Sequence, residues 1–532
     1  MKKIFGTLMC IVATVLMLSS CSENSKMKAM LECVPDSVDY VLAGNLKDMV
    51  ESCGEVKKNN KIYLCPLLTD SQPLSMKDAL NSLNVILKKS HVDLESFAVF
   101  REKSVDRDVM VLSIKSKDLF VDGIKESGYK KMKSEGKLDI YAKLSLVSTE
   151  GGKGRRQAVS GVYDYIAINS SQAYFLSAAS ATKTFKPMAY LQDLAERVQA
   201  KNIAQTPYGE YIQGGKTFGL IVPQSEAFGI VSSMMPVPVL PNNGGVLCLR
   251  GEITPDKLVA DVKFLDSEGK EYNMNEAAWF MDNKSVINKD AISLLGNDEH
   301  IVAAVSLKDV KWEELFKASQ LPMQNAAQAM LVFLEQLNGT IAIGFGMKGE
   351  QTAAEAAPVS ADIDLFSDYS FTLVMETKEG EANSLMSLAK VMLVGQNIPC
   401  VEEENGISVN LSGFGLMTTI HMGVIDNFLV VSKNPIKRDN NNKFLQDAKM
   451  MSTGTAFRLD LDKGDPLLEE FGIKNSVKVA MYNTPGTVGA NFELEIEGDV
   501  VQEYADSETS YKATGIIEKL LFILIKLDSL HS

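Results

Sequence analysis

The segment YVLAGNLKDM, from Tyr40 to Met49, is written a second time as IVAAVSLKDV, from Ile301 to Val310, with Asp309 standing 261 positions after Asp48. Other segments follow in the same order. MVLSIKSKD, Met110 to Asp118, matches FTLVMETKE, Phe371 to Glu379, at the same offset of 261. YLQD, Tyr190 to Asp193, matches FLQD, Phe444 to Asp447, and AYFLSA, Ala173 to Ala178, falls on NFLVVS, Asn427 to Ser432, both at 254. TPDKLVADVKF, Thr254 to Phe264, pairs with TPGTVGANFEL, Thr484 to Leu494, at 230. A period of this length is far beyond that of a stacked solenoid, so the expectation is two tandem, similar domains. The copies are expected at 31–290 and 291–532.

Within each copy two patterns alternate. DYVLAGNL and SFAVF are short, apolar and rich in strand-favouring residues, and YIAINSSQAYFLSAA reads as a hairpin, two apolar runs around a polar turn. SMKDALNSLNVILKK, Ser75 to Lys89, has helical spacing with Ser75 as its N-cap, and its counterpart is MQNAAQAMLVFLEQL, Met323 to Leu337. The class is therefore α+β, mostly antiparallel sheet with helices covering one face. The apolar GIIEKLLFILIKL, Gly515 to Leu527, is too interrupted by charge to span a bilayer and is expected to dock on the second copy.

The chain opens MKKIFGTLMCIVATVLMLSSCSENSK. Lys2 and Lys3 precede an uncharged run from Ile4 to Leu18 that has the length of a signal-peptide core. The LSSC that closes it, Leu18 to Cys21, resembles a bacterial lipobox. That resemblance implies a signal peptide at 1–20, lipidation of Cys21, a short tether at 21–30 and attachment to a membrane through acyl chains rather than a span. Ser22, where an aspartate would favour retention at the inner membrane, points by similarity to the outer membrane, while SENSK leaves periplasmic and surface faces both open.

With VPDSVDYVLAGNLKDMVESCG and VLSIKSKDLFVDGIKESGY following that lipobox, the chain resembles a family of Bacteroidota cell-envelope lipoproteins that carry tandem copies of a domain of unknown function. The resemblance implies an envelope location and transfers no catalytic residue.

The formal net charge of −14 argues against nucleic acid or anionic lipid as a principal partner. Of seven cysteines, five remain after loss of Cys10 and lipidation of Cys21, and Cys33, Cys53 and Cys65 lie close enough for one local bridge without matching a zinc spacing. Cys33 and Cys53 align with Leu294 and Glu314 at offset 261, so the second copy dispenses with any such bridge.

Chemistry is thinly written. GEYIQGGKT, Gly209 to Thr217, has one residue too many for a phosphate-binding loop and puts helix before strand. Ser-x-x-Lys occurs as SATK at Ser180 and SLAK at Ser387 without the companion elements of a serine acylase. His91, His300, His421 and His531 are scattered, and no metal or cofactor is indicated. A glycan or peptide hydrolase working through paired carboxylates is the alternative function.

Two insertions in the first copy are the candidate binding elements. The basic loop GGKGRR, with Lys153, Arg155 and Arg156, lies where the offset falls by seven; SSMMPVPVLPNNGG, with Met234, Met235, Val237, Asn242 and Asn243, lies where it falls by twenty-four. Binding sites are often grafted as loops on a repeated scaffold. The expected function is a lipid-anchored, non-catalytic binding or scaffold protein. Its expected partners are the membrane and an envelope protein or glycan.

Overall fold

The computed structural model describes residues 24–532 apart from 58–60, 65–91, 103–104, 106, 133–135, 148–156, 183, 224–244, 272–281, 283, 297–298, 315–330, 348–368, 412–417, 466–467, 469–472, 484, 487–488, 499, 504–509 and 530–532. Its chain divides into two compact units, one of residues 1–271 with 495–532 and one of residues 272–494.

In the first unit, α1 (Asn24–Leu31) leads into β1 (Val38–Gly44), whose last four residues are all buried. Asn45 stops the strand and caps α2 (Leu46–Glu51), its side chain accepting from the Lys47 N–H at 3.1 Å. A two-stranded ribbon follows, β2 (Gly54–Lys57) with β3 (Lys61–Leu64), then β4 (Val92–Glu102) and β5 (Asp108–Ile114). Ser116 caps α3 (Lys117–Glu126).

Next come β6 (Lys130–Lys131), β7 (Asp139–Val147), β8 (Gln157–Ile168) and β9 (Gln172–Ser180). The Asn169 carboxamide accepts from the Ser171 and Gln172 N–H groups, closing the β8–β9 hairpin that the alternation predicted. Prolines at the first helical turn open α4 (Pro187–Ala200) and α5 (Pro207–Gln213). The chain then runs through β10 (Phe218–Pro223), β11 (Val246–Ile253) and β12 (Lys257–Leu265). The antiparallel sheet has the order β12-β11-β10-β1-β4-β5-β9-β8-β7-β6.

One face of that sheet carries Val41, Phe100, Val109 and Leu176 in a row across four strands, buried under α1, α4 and α5. On the other face Phe175 meets Phe120 of α3 edge-on, ring centroids 6.3 Å apart. Helices therefore cover both faces, not one. The central strands are apolar on both sides, so each side needs cover.

The second unit begins with α6 (Lys289–Ile292), capped by Asn288, and β13 (Ile301–Leu307). It continues with β14 (Leu337–Met347), β15 (Tyr369–Thr377), α7 (Glu381–Gly395), β16 (Cys400–Glu403) and β17 (Gly406–Asn410). It ends with β18 (Thr419–Ile425), β19 (Phe428–Ser432), β20 (Thr455–Leu461), β21 (Val477–Asn483) and β22 (Gly489–Ile496). Strand order is β21-β20-β13-β14-β15-β19-β18-β17-β16, with β22 beside β21.

Two cores flank this sheet. Val302, Ala342, Val374 and Val430 pack with α6 and Phe444, while Met375, Leu429 and Ile407 pack with Leu385 and Met386 of α7. Buried Asn442 ties the loop after β19 to the start of the unit, donating to the Leu295 carbonyl at 3.0 Å. Of the helix expected over Met323–Leu337, residues 331–334 are helical and Leu337 already opens β14. The expected helix Ser75 to Lys89 lies outside the described residues.

After β22 the chain completes the first unit with β23 (Val500–Glu503), β24 (Ser510–Ala513) and α8 (Ile516–Ser529). The expected domain limits thus need two corrections. A cut at 290/291 would sever α6, whose Ala291 and Ile292 lie in the second unit's core. The terminal helix also belongs to the first unit: the Ile517 and Glu518 N–H groups donate to the Ser52 carbonyl at 3.0 and 3.2 Å. Lys519, almost wholly buried, bonds the Ile496 carbonyl and Asp256. No helix among the described residues is long and apolar enough to cross a membrane.

Candidate functional site

Cys21, the basic loop Lys153, Arg155 and Arg156, and the loop residues Met234, Met235, Val237, Asn242 and Asn243 all lie outside the described residues. Cys65, His91, Lys183 and His531 lie outside them as well.

Other sequence candidates are visible. Cys33 and Cys53 are buried thiols outside any disulfide, and burial pushes the Cys33 thiol up to about 11. A thiol in that state is a weak nucleophile. In SLAK, Ser387 donates to the Asn383 carbonyl while the Lys390 ammonium turns to Glu402, 2.8 and 3.0 Å from its two oxygens. The lysine is held away from the role a general base would need. Lys216 of GEYIQGGKT likewise pairs with Glu252 at 2.7 Å. Among the described residues no group of three or more His, Cys, Asp and Glu could hold a metal ion.

A dense polar constellation among the described residues is one that pattern reading missed. In the second unit a shallow depression of about 470 Å³ is lined by Lys443, Gln446, Asp447, Lys449, Arg458 and Tyr482, among others. Tyr482 donates to Asp447 Oδ2 at 2.6 Å, Arg458 donates to the same oxygen, and the Lys449 and Met450 N–H groups reach Oδ1 at 3.0 and 3.1 Å. Burial alone would raise the Asp447 carboxyl. The Tyr482 and Met450 hydrogen bonds, with the Arg458 charge, outweigh it and hold the group below the usual carboxylate range.

A carboxylate so engaged is a brace rather than a base. Arg458 also reaches Asp460 at 3.1 Å, and Lys449 pairs with Glu493. Of the charged side chains that line the depression, Asp447 and Arg458, and Lys449 and Glu493, are held in ion pairs, while Lys443 lies over the Phe444 ring. The one early signal was FLQD, whose aspartate the repeat had already marked.

The two described histidines each face a carboxylate. His300 lies 3.1 Å from Asp465, and His421 Nδ1 sits 2.9 and 3.0 Å from the Glu403 oxygens. The His421 contact holds Glu403 below the usual carboxylate range.

Among the described residues the outer side of α7 is unusually apolar. Ala382, Leu385 and Met386 face the core, yet Leu388, Val391, Met392 and Val394 point outward and are 48%, 69%, 57% and 63% exposed. A helix apolar on both sides is ordinarily buried on both. The helix α3, which follows β5 in the first unit as α7 follows β15, has an ordinary exterior. It buries Phe120, Val121 and Ile124, and turns Asp118, Asp122, Lys125 and Glu126 outward.

β16 runs beside α7, with Cys400 in the same core and Glu402 reaching Lys390. Strand alternation sends Val401 and Glu403 to the opposite side.

No family model matches the chain, and no curated protein matches it. Solved structures of TP0453 in three crystal forms are similar over part of the chain. Form IV covers 46% of this chain and 81% of that one at 11% identity and a TM-score of 0.28. Form III covers 44% and 78% at 12% identity and 0.27. Form I covers 48% and 82% at 11% identity and 0.27. The likeness is too slight to bear on what this chain does.

Proposed function

We propose that the chain is a lipid-anchored cell-envelope protein that acts by binding, as an accessory or scaffold component, with no catalysis of its own. The observation that carries the binding half is the exterior of α7: four large apolar side chains face water on a helix whose inner face is already packed. Contiguous exposed apolar surface of this kind marks interaction sites. The anchoring half rests on the lipobox-like LSSC and Cys21, and Ser22 supports the outer membrane as the destination. Both agree with the resemblance to Bacteroidota envelope lipoproteins.

We further propose that the two units are copies. Each has β-strands paired in the same succession, the first strand central, three later strands on one side and a returning meander on the other. Buried rows support the reading. Ala43, Ala98, Val111 and Tyr174 cross the first sheet; Ala304, Ala342, Val374 and Val430 cross the second. Ala43 and Ala304 are 261 apart, as the aligned sequence has them, but Val111 and Val374 are 263 apart. A slide of two leaves every side chain on its own face.

The test is crosslinking in cells from a photoreactive residue at Val391, with Leu119 on α3 as the matched exposed control. A discrete protein adduct at Val391 and none at Leu119 supports binding at this face. Equal labelling at both overturns it. Cys21→Ser should move the chain from the membrane fraction to the soluble one, and retention at the membrane would overturn the anchor. Loss of function on neutralising one carboxylate pair, with the α7 face intact, would favour the hydrolase alternative.

A further inference from the structure

We infer that the exterior of α7 takes a cationic amphipathic segment of a partner protein, apolar along its centre and lysine- or arginine-rich along its margin. The inference rests on the binding reading above and adds the partner's chemistry. Leu388, Val391 and Met392 recur at helical spacing to form one stripe, and Val394 widens it beside Val391. The fold does not demand this surface. α3 fills the corresponding place after β5 with a charged exterior and packs well through its inner face alone.

Charge at the margin selects among occupants. The one cation on α7, Lys390, is engaged by Glu402. At the helix start stand Glu379 and Glu381, and on the neighbouring strand and its turn Glu402 and Glu404, against Lys378. All but the half-buried Glu381 are exposed.

A second copy would bring the same acidic margin against itself, within a chain of net charge −14. An anionic lipid surface meets the same repulsion. A helix or strand carrying lysine or arginine beside its apolar side gains at both places, since its apolar residues cover the stripe and its cations meet the carboxylates.

The experiment uses the full chain and two fluorescent fourteen-residue helical peptides with the same leucine stripe, one with lysine at its margin and one with glutamate. Anisotropy should show the lysine peptide binding at least tenfold more tightly than its glutamate twin. Val391→Ser with Met392→Ser should weaken the lysine peptide at least tenfold, and Glu379→Gln with Glu404→Gln should weaken it about threefold. Equal binding of the two peptides, or binding indifferent to the stripe, overturns the proposal.

A concentration-dependent dimer that disappears with Val391→Ser and Met392→Ser overturns it in favour of a second copy. Stripe-dependent flotation with phosphatidylethanolamine vesicles overturns it in favour of lipid. If crosslinking at Val391 gives its adduct while the peptides show no preference, the binding reading stands and the cationic partner falls.

Discussion

The Tyr482 hydroxyl donates to the Asp447 carboxylate at 2.6 Å, joining β21 to the loop that follows β19. Hydrogen bonds to charged groups contribute about 1.5–3 kcal/mol, and partial exposure places this one near the lower end. Tyr482→Phe should therefore lower the urea midpoint of the chain by the equivalent of about 1–2 kcal/mol, read by equilibrium unfolding.

Acid should weaken the same brace. Because the folded state holds the Asp447 carboxyl below its ordinary value of 3.8, its contribution is fully present above that value and is lost as pH falls through the lower, folded one. Asp447→Asn should be less stable than the parent at pH 7. The gap between the two should close progressively below about pH 4, in urea titrations run at stepped pH.

In the first unit Arg197 clasps buried Glu102 with two hydrogen bonds, 2.6 and 3.1 Å, and Asp193 orients the guanidinium from one helical turn away. Arg197→Ala strands a carboxylate in the interior. Fully buried pairs lose about 3–5 kcal/mol when broken, and the partly exposed arginine reduces the expectation to about 2–3 kcal/mol. Combining Arg197→Met with Glu102→Leu should recover most of that loss in thermal melts.

Gly515 sits where α8 meets the first unit, and a Cβ there would lie 2.3 Å from the Ser52 carbonyl carbon and oxygen. Backbone cannot step aside as a side chain can. Gly515→Ala should cost about 1–3 kcal/mol and open α8 to protease. Gly395→Ala, with open space around its Cβ, should change stability by less than about 1 kcal/mol.

The two sides of α7 should respond oppositely. Leu385→Ala, in the core, should cost about 2–5 kcal/mol. Val391→Ser should stay within about 0.5 kcal/mol of the parent, since its side chain already faces water. A comparable loss from both would mean that the outer face is packed.

Periodicity carried the class, because alternating strands such as β13 half-bury and fully bury residues in strict turn. It carried the β8–β9 hairpin too, where Asn169 supplies a turn that composition alone announces. If the units are copies, as proposed, text alignment is off by two between Val111 and Val374, since apolar residues two apart look alike in sequence and occupy the same face. The outer side of α7 was illegible for a related reason: MSLAKVMLVG, broken only by Ser387 and Lys390, is apolar on both the inner and the outer side, and only packing distinguishes the covered side from the bare one. The brace at Asp447 joins residues from three separate segments, which no local pattern could assemble. The ownership of α8 was missed because adjacency in sequence suggested the second copy, whereas its amides belong to Ser52.

That ownership sets a timetable. The whole second unit is inserted into the first, between Glu271 and Glu495, so a chain delivered N-terminus first presents residues 272–494 complete before the earlier unit has its last pieces. Until Lys519 arrives, Asp256 and the Ser52 carbonyl wait without the helix that will join them. The part begun first is thus the part finished last, and a ribosome that stops short of residue 515 leaves the early unit, rather than the late one, unfinished.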